Sequence, residues 1–108
     1  MKAIYYQNGN TIDYSNTTEN VIEFNTVVVV GKKIGVTSAP ILPGTTGSLH
    51  MVGVFKMTKV ANEAIEAGTT VYFTGEAITA TATDNTLAGY TVKAASSADT
   101  EVYVKLEG

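Results

Sequence analysis

The sequence predicts an all-β domain: a compact sandwich or partly open barrel of short antiparallel strands, with one short helix. Three observations carry that prediction. The first is a recurring device, clearest in Ile65-Glu-Ala-Gly68-Thr-Thr-Val-Tyr-Phe73: an apolar anchor, two connecting residues, a sharp turn, then a β-branched and aromatic run. It occurs earlier as Ile41-Leu-Pro-Gly44-Thr45-Thr46 and more loosely as Ile22-Glu-Phe-Asn25-Thr26-Val27. Glycine takes positive φ without a Cβ clash, and Asn is the next most tolerant residue there. The second is period-2 alternation in several short segments, the mark of a half-buried strand. The third is a turn signal every few residues along the chain. The copies of the device are unevenly spaced and only a few residues long, which does not describe a solenoid.

Composition bounds the rest. The chain has 108 residues, 44% hydrophobic and 16% charged, enough for a single globular domain with one modest core. A net charge of -3 and a pI near 4.9 disfavour nucleic acid as a partner, because phosphate recognition needs basic patches. The absence of cysteine removes disulfides and thiolate metal sites. No apolar run approaches the roughly 20 residues of a membrane helix. Met1-Lys2-Ala3-Ile4-Tyr5 opens no long apolar stretch of the kind a signal peptide needs, so synthesis and folding in a cytoplasm are expected.

In chain order, Lys2 to Tyr6 reads as a first strand and Asn8-Gly9 as a hairpin turn. Thr11 to Ser15 alternates, with Ile12 and Tyr14 on one face. Asn16 to Asn20 is polar loop. Thr26 to Val30 is an unbroken β-branched run, suited to a strand covered on both faces. Gly31-Lys32-Lys33 turns the chain and Ile34 to Thr37 returns it; lysines at such a tip discourage stray edge pairing. Ser48 to Thr58 is the longest strand candidate, apolar on both faces, with Gly53 marking a bulge or a bend. Val60 to Ala67 is the helix-like stretch: Ala61, Ala64 and Ile65 on one side, Asn62, Glu63 and Glu66 outside, Gly68 as the stop. Thr70 to Thr74 is a strand, Gly75-Glu76 a turn, and Ala77 to Thr83 a strictly alternating strand. Asp84-Asn85 turns the chain again. Leu87 to Ala95 is a strand, and Thr100 to Leu106 closes the chain with Val102, Val104 and Leu106 inward.

Catalysis needs a nucleophile with a base, paired carboxylates or metal ligands. The lone histidine, His50, lies beside Val52 and Lys56, and no acid is nominated to orient it. Glu63 and Glu66 stand i, i+3 and read as a solvated helix face rather than a metal pair. Gly44-Thr45-Thr46-Gly47-Ser48 and Gly31-Lys32-Lys33 both lack the pattern of a phosphate-binding P-loop. Asn16-Thr17-Thr18 fits a glycosylation sequon, a weak motif. The tyrosines Tyr5, Tyr6, Tyr14, Tyr72, Tyr90 and Tyr103 suit core packing or a protein interface. No metal, cofactor or catalytic role is expected. An alternative is a carbohydrate- or surface-binding β module using Tyr72 and Tyr103.

The succession Met1-Lys2-Ala3, Asp13-Tyr14, Val27–Val30 with Ile34-Gly35-Val36-Thr37, Gly53-Val54-Phe55, Ala64-Ile65-x-x-Gly68-x-x-Val71-Tyr72 and Leu87-Ala88-Gly89 resembles the phage capsid cement, or head-decoration, family over nearly the whole chain. Members have sometimes been labelled recombinase-like, and the missing P-loop argues against that label. Two departures stand out: Asn25 replaces a usual glycine, and Glu76-Ala77 tightens a hairpin. The resemblance implies a virion structural protein that binds the exterior of the assembled capsid and stabilises it, with the major capsid protein as partner and a homotrimer on the shell. Neither nucleic acid nor membrane is implied. Lys2, Ile4, Tyr5, Tyr6, Gln7, Lys32 and Lys33 are the candidate shell contacts, since a terminal strand can extend a partner's sheet.

Overall fold

The computed structural model describes residues 1–107. Among the described residues, nine strands build two antiparallel sheets. The first sheet contains β1 (Thr11–Ser15), β2 (Val27–Val30), β3 (Lys33–Thr37) and β4 (Thr46–His50), in the order β1-β4-β3-β2. The second contains β5 (Val54–Thr58), β6 (Thr70–Phe73), β7 (Ile78–Thr79), β8 (Thr86–Thr91) and β9 (Glu101–Leu106), in the order β5-β9-β8-β6-β7. The sheets stay open and stack as a sandwich, β3 lying against β8. Between them Ile34 and Val36 meet Met57, Ile65, Val71, Ile78, Ala88, Val102, Val104 and Leu106 in one buried cluster.

The two sheets share one topology. In each, the opening strand pairs with the closing strand, and the third strand lies beside the closing one with the second outside it. Thus β1, β2, β3 and β4 correspond to β5, β6, β8 and β9, and β7 is an insertion in the second half. The recurring device of the sequence is the corner before β2 and β6. Ile22 bridges Ile41 in the first half, and Ile65 bridges Ala95 in the second. Asn25 and Gly68 both take positive φ, 59° and 78°. Their N–H groups donate to Thr37 and Thr91 carbonyls, respectively. The buried hydroxyls of Thr37 and Thr91 donate to the carbonyls of Glu23 and Glu66, and accept from the N–H groups of Thr26 and Thr69. One set of hydrogen bonds is therefore written twice. It satisfies the backbone groups that a bend would otherwise strand in the interior.

Several expectations are met and several are corrected. Thr11–Ser15 alternates as read, with Ile12 and Tyr14 half-buried; Val102, Val104 and Leu106 face inward. Lys2 to Tyr6 is exposed and unpaired, so Asn8-Gly9 closes no hairpin. The expected strand Ser48 to Thr58 is two strands in different sheets. The chain crosses between the sheets at Met51–Gly53, where Gly53 has φ 119°. The short helix does not form: no helix occurs among the described residues. In place of a helical ladder, Asn62 turns at φ 62°, and the buried Lys59 ammonium donates to the carbonyls of Val60 and Glu63. Ile65 then bonds across to Ala95. A stretch this short sits below the length at which helix nucleation is repaid, so tertiary bonds win. Of the alternating run Ala77 to Thr83, only Ile78–Thr79 pairs, with Tyr72 and Phe73.

Candidate functional site

His50 lies against Phe55, with ring centroids 6.1 Å apart. Glu63 and Glu66 are not on a helix face. The Glu63 carboxylate accepts from the Thr79 hydroxyl at 3.2 Å and the Ala80 N–H at 3.3 Å, fastening the β7 insertion, while Glu66 is exposed. The Asn16 side chain is buried and donates to the carbonyls of Asn20 and Ile41 at 2.7 and 2.8 Å. Its amide oxygen accepts from the backbone N–H and the hydroxyl of Thr18. Asn16 thus caps the first corner as Lys59 caps the second. Tyr72 and Tyr103 line separate depressions. Tyr72 faces one of about 530 Å³ with Lys32, Lys33 and Leu87; Tyr103 faces one of about 340 Å³ with Lys93, Asp99 and Glu101.

The candidate contact residues gather at one end of the first sheet. Thr11 is opposite His50, and His50 is opposite Val36, so the N-terminal arm and the Gly31–Lys33 turn leave the sheet at the same end. In the arm, Ile4, Tyr5 and Tyr6 are 91%, 82% and 86% exposed. Large apolar side chains held in water carry an unmet burial free energy of about 1.5–3 kcal/mol each. Lys32 and Lys33 are exposed at the β2–β3 turn. The arm pairs with no strand, and it and the lysine turn leave the first sheet at the same end.

A second exposed apolar group lies at the opposite end of the same sheet, and sequence reading passed over it. Val21 faces Leu42 across the Ile22–Ile41 bridge, and Phe24 follows at the turn; they are 41%, 57% and 59% exposed. Aligning the two copies of the corner exposes them, because their counterparts in the second half are Ala64, Ser96 and Ala67.

No curated protein and no solved structure matches the chain. The sequence model of the phage cement protein family matches residues 6–106. With nearly the whole chain covered, the chain belongs to the phage cement protein family.

Proposed function

We propose that this protein binds the exterior of the assembled phage capsid, through the major capsid protein, and stabilises the shell without catalysing a reaction. Membership of a phage cement family gives the association with the capsid. The observation that carries the finer reading is the exposed arm, in which Ile4, Tyr5 and Tyr6 stand free at the same end as Lys32 and Lys33. An extended arm with unpaired backbone groups suits addition to a sheet edge of the shell, with Lys2 and Gln7 flanking the apolar residues. A ligand that binds the assembled shell and not its free subunits stabilises the shell by mass action. A homotrimer seated at a three-fold site multiplies weak contacts. Production is in the host cytoplasm, before attachment to the virion.

Deletion of residues 1–7 tests the reading by co-sedimentation with undecorated heads. The full chain is expected to sediment with heads and to raise their melting temperature. The truncated chain is expected to lose at least about tenfold in affinity. Equal sedimentation of both chains removes the arm from the contact, and failure of the full chain to bind heads removes the function.

A further inference from the structure

We propose that copies of this chain join head to tail, the Val21–Phe24–Leu42 corner of one copy seating on the outward face of the five-stranded sheet of the next. The inference deepens the homotrimer reading above, on which it rests, by naming the surfaces through which copies meet.

Each half of the molecule carries one exposed adhesive surface that its counterpart lacks. The corner of the first half presents Val21, Phe24 and Leu42, whereas the second half has Ala64, Ala67 and Ser96 at those places. The same backbone and the same hydrogen bonds hold both corners, so the fold does not require large apolar side chains there. On the outward face of the second sheet, Val54 and Tyr90 flank Lys105, and Lys56 faces Tyr103. Val92 is exposed beside Tyr103. The counterparts of Val54, Lys56, Val92, Tyr103 and Lys105 are the small or polar Thr11, Asp13, Ser38, Ser48 and His50.

Charge fits the two surfaces together. Glu19 and Glu23 rim the corner and are exposed. On the sheet face Lys93 stands 4.2 Å over the Tyr103 ring and Lys105 stands 5.5 Å over Tyr90. Lys56 pairs with Glu101 at 3.8 Å, which leaves Lys93 and Lys105 to meet the two glutamates. Tyrosine is among the residues enriched at interface hot spots, and the lysines supply charge at the rim. Corner and face are different surfaces of one chain, so their contact is heterologous and closes into a ring when the rotation allows.

The test measures self-association of the full chain by sedimentation velocity over a wide concentration range, free and on heads. Wild type is expected to associate. Glu19→Lys with Glu23→Lys, and separately Lys93→Glu with Lys105→Glu, are each expected to weaken association at least about tenfold, and combining both pairs in one chain to restore it. Ala67→Phe, at the counterpart position, is expected to leave association unchanged. A second measurement uses the absence of native cysteine: a Phe24→Cys chain mixed with a Tyr103→Cys chain is expected to form the mixed disulfide in preference to either homodimer. Wild type that stays monomeric in both settings, chains with one pair reversed that associate as wild type, or homodimer disulfides equal to the mixed one overturn the inference. Wild type that associates but ignores heads overturns the proposed function and leaves this inference standing; wild type that decorates heads as a monomer does the reverse.

Discussion

The two halves of this chain solve one folding problem twice, with different side chains on the outside. At the corners, Thr37 and Thr91 are both buried and make the same bonds to Glu23 and Thr26, or Glu66 and Thr69. At the caps the solutions diverge: a neutral amide, Asn16, in one half and an ammonium, Lys59, in the other. On the surface they share least, with apolar residues at the first corner and tyrosines and lysines on the second sheet. Positions that satisfy buried backbone groups keep a donor or acceptor able to make the bond, a hydroxyl at both corners and an amide or an ammonium at the caps, because an unpaired buried group costs about 1–3 kcal/mol. Exposed positions carry no such constraint and are free to serve contact.

The sharpest break in the likeness is at Gly35 and Gly89. A Cβ on Gly89 would stand 1.9 Å from the Lys105 carbonyl oxygen, at φ 153°, and backbone there cannot yield. Gly89→Ala is expected to cost about 3–5 kcal/mol or to prevent folding, read by urea denaturation. A Cβ on Gly35 would meet the Met51 sulfur at 2.7 Å and the Leu49 side chain at 3.1 Å, which can shift. Gly35→Ala is expected to cost about 1–3 kcal/mol. Equal losses would show that the two strands are more alike than their neighbours suggest.

Thr37→Val and Thr91→Val are the next largest pair. Each leaves one corner N–H, that of Thr26 or Thr69, without a partner, while the Glu23 and Glu66 carbonyls still accept from the Thr26 and Thr69 hydroxyls, so each is expected to cost about 1–3 kcal/mol, the two agreeing closely. A twofold disagreement in midpoint shift would mean that the corners share geometry but not energetics. At the caps, Asn16→Ala is expected to cost about 2 kcal/mol through lost bonds to Asn20 and Ile41. Lys59→Met is expected to cost less, because it also removes the desolvation of a buried ammonium. Thermal melts of the pair order the two. The smallest effect is at the turns. Asn25 at φ 59° stands where Gly68 stands in the second half, so Asn25→Gly is expected to gain up to about 0.5 kcal/mol.

Much of the fold was legible in the residues. Ile12 and Tyr14 alternate with Thr11, Asp13 and Ser15, and that periodicity alone places a half-buried strand. The corner device was legible too, since glycine or asparagine followed by threonine is a local signal. The relation between its copies was not: which copies correspond depends on how the strands pair, and the inserted β7 gives the second sheet a fifth strand that obscures the duplicated topology. Ser48 to Thr58 misled because apolar faces continue through Met51-Val52-Gly53, while the chain changes sheets there. Of the candidate contacts, exposure of the arm followed from nothing local; its apolar run reads equally well as a paired strand. The Val21–Phe24–Leu42 group was invisible because one exposed apolar side chain on a surface is ordinary, and only its counterpart makes it informative.

The sequence by itself determined the all-β class and several of its strands and turns, Thr11 to Ser15 and the Gly31 turn among them, because those choices rest on φ/ψ preference and side-chain spacing within a few residues. The tertiary structure decided which strands became partners, that Val60 to Ala67 would bridge rather than coil, and which apolar groups stayed in water. Those outcomes depend on groups far apart in the chain finding one another, as the Thr37 hydroxyl finds the Glu23 carbonyl and the Thr91 hydroxyl that of Glu66. The free energy of such long-range pairing is set by the assembled sandwich and is absent from any single segment.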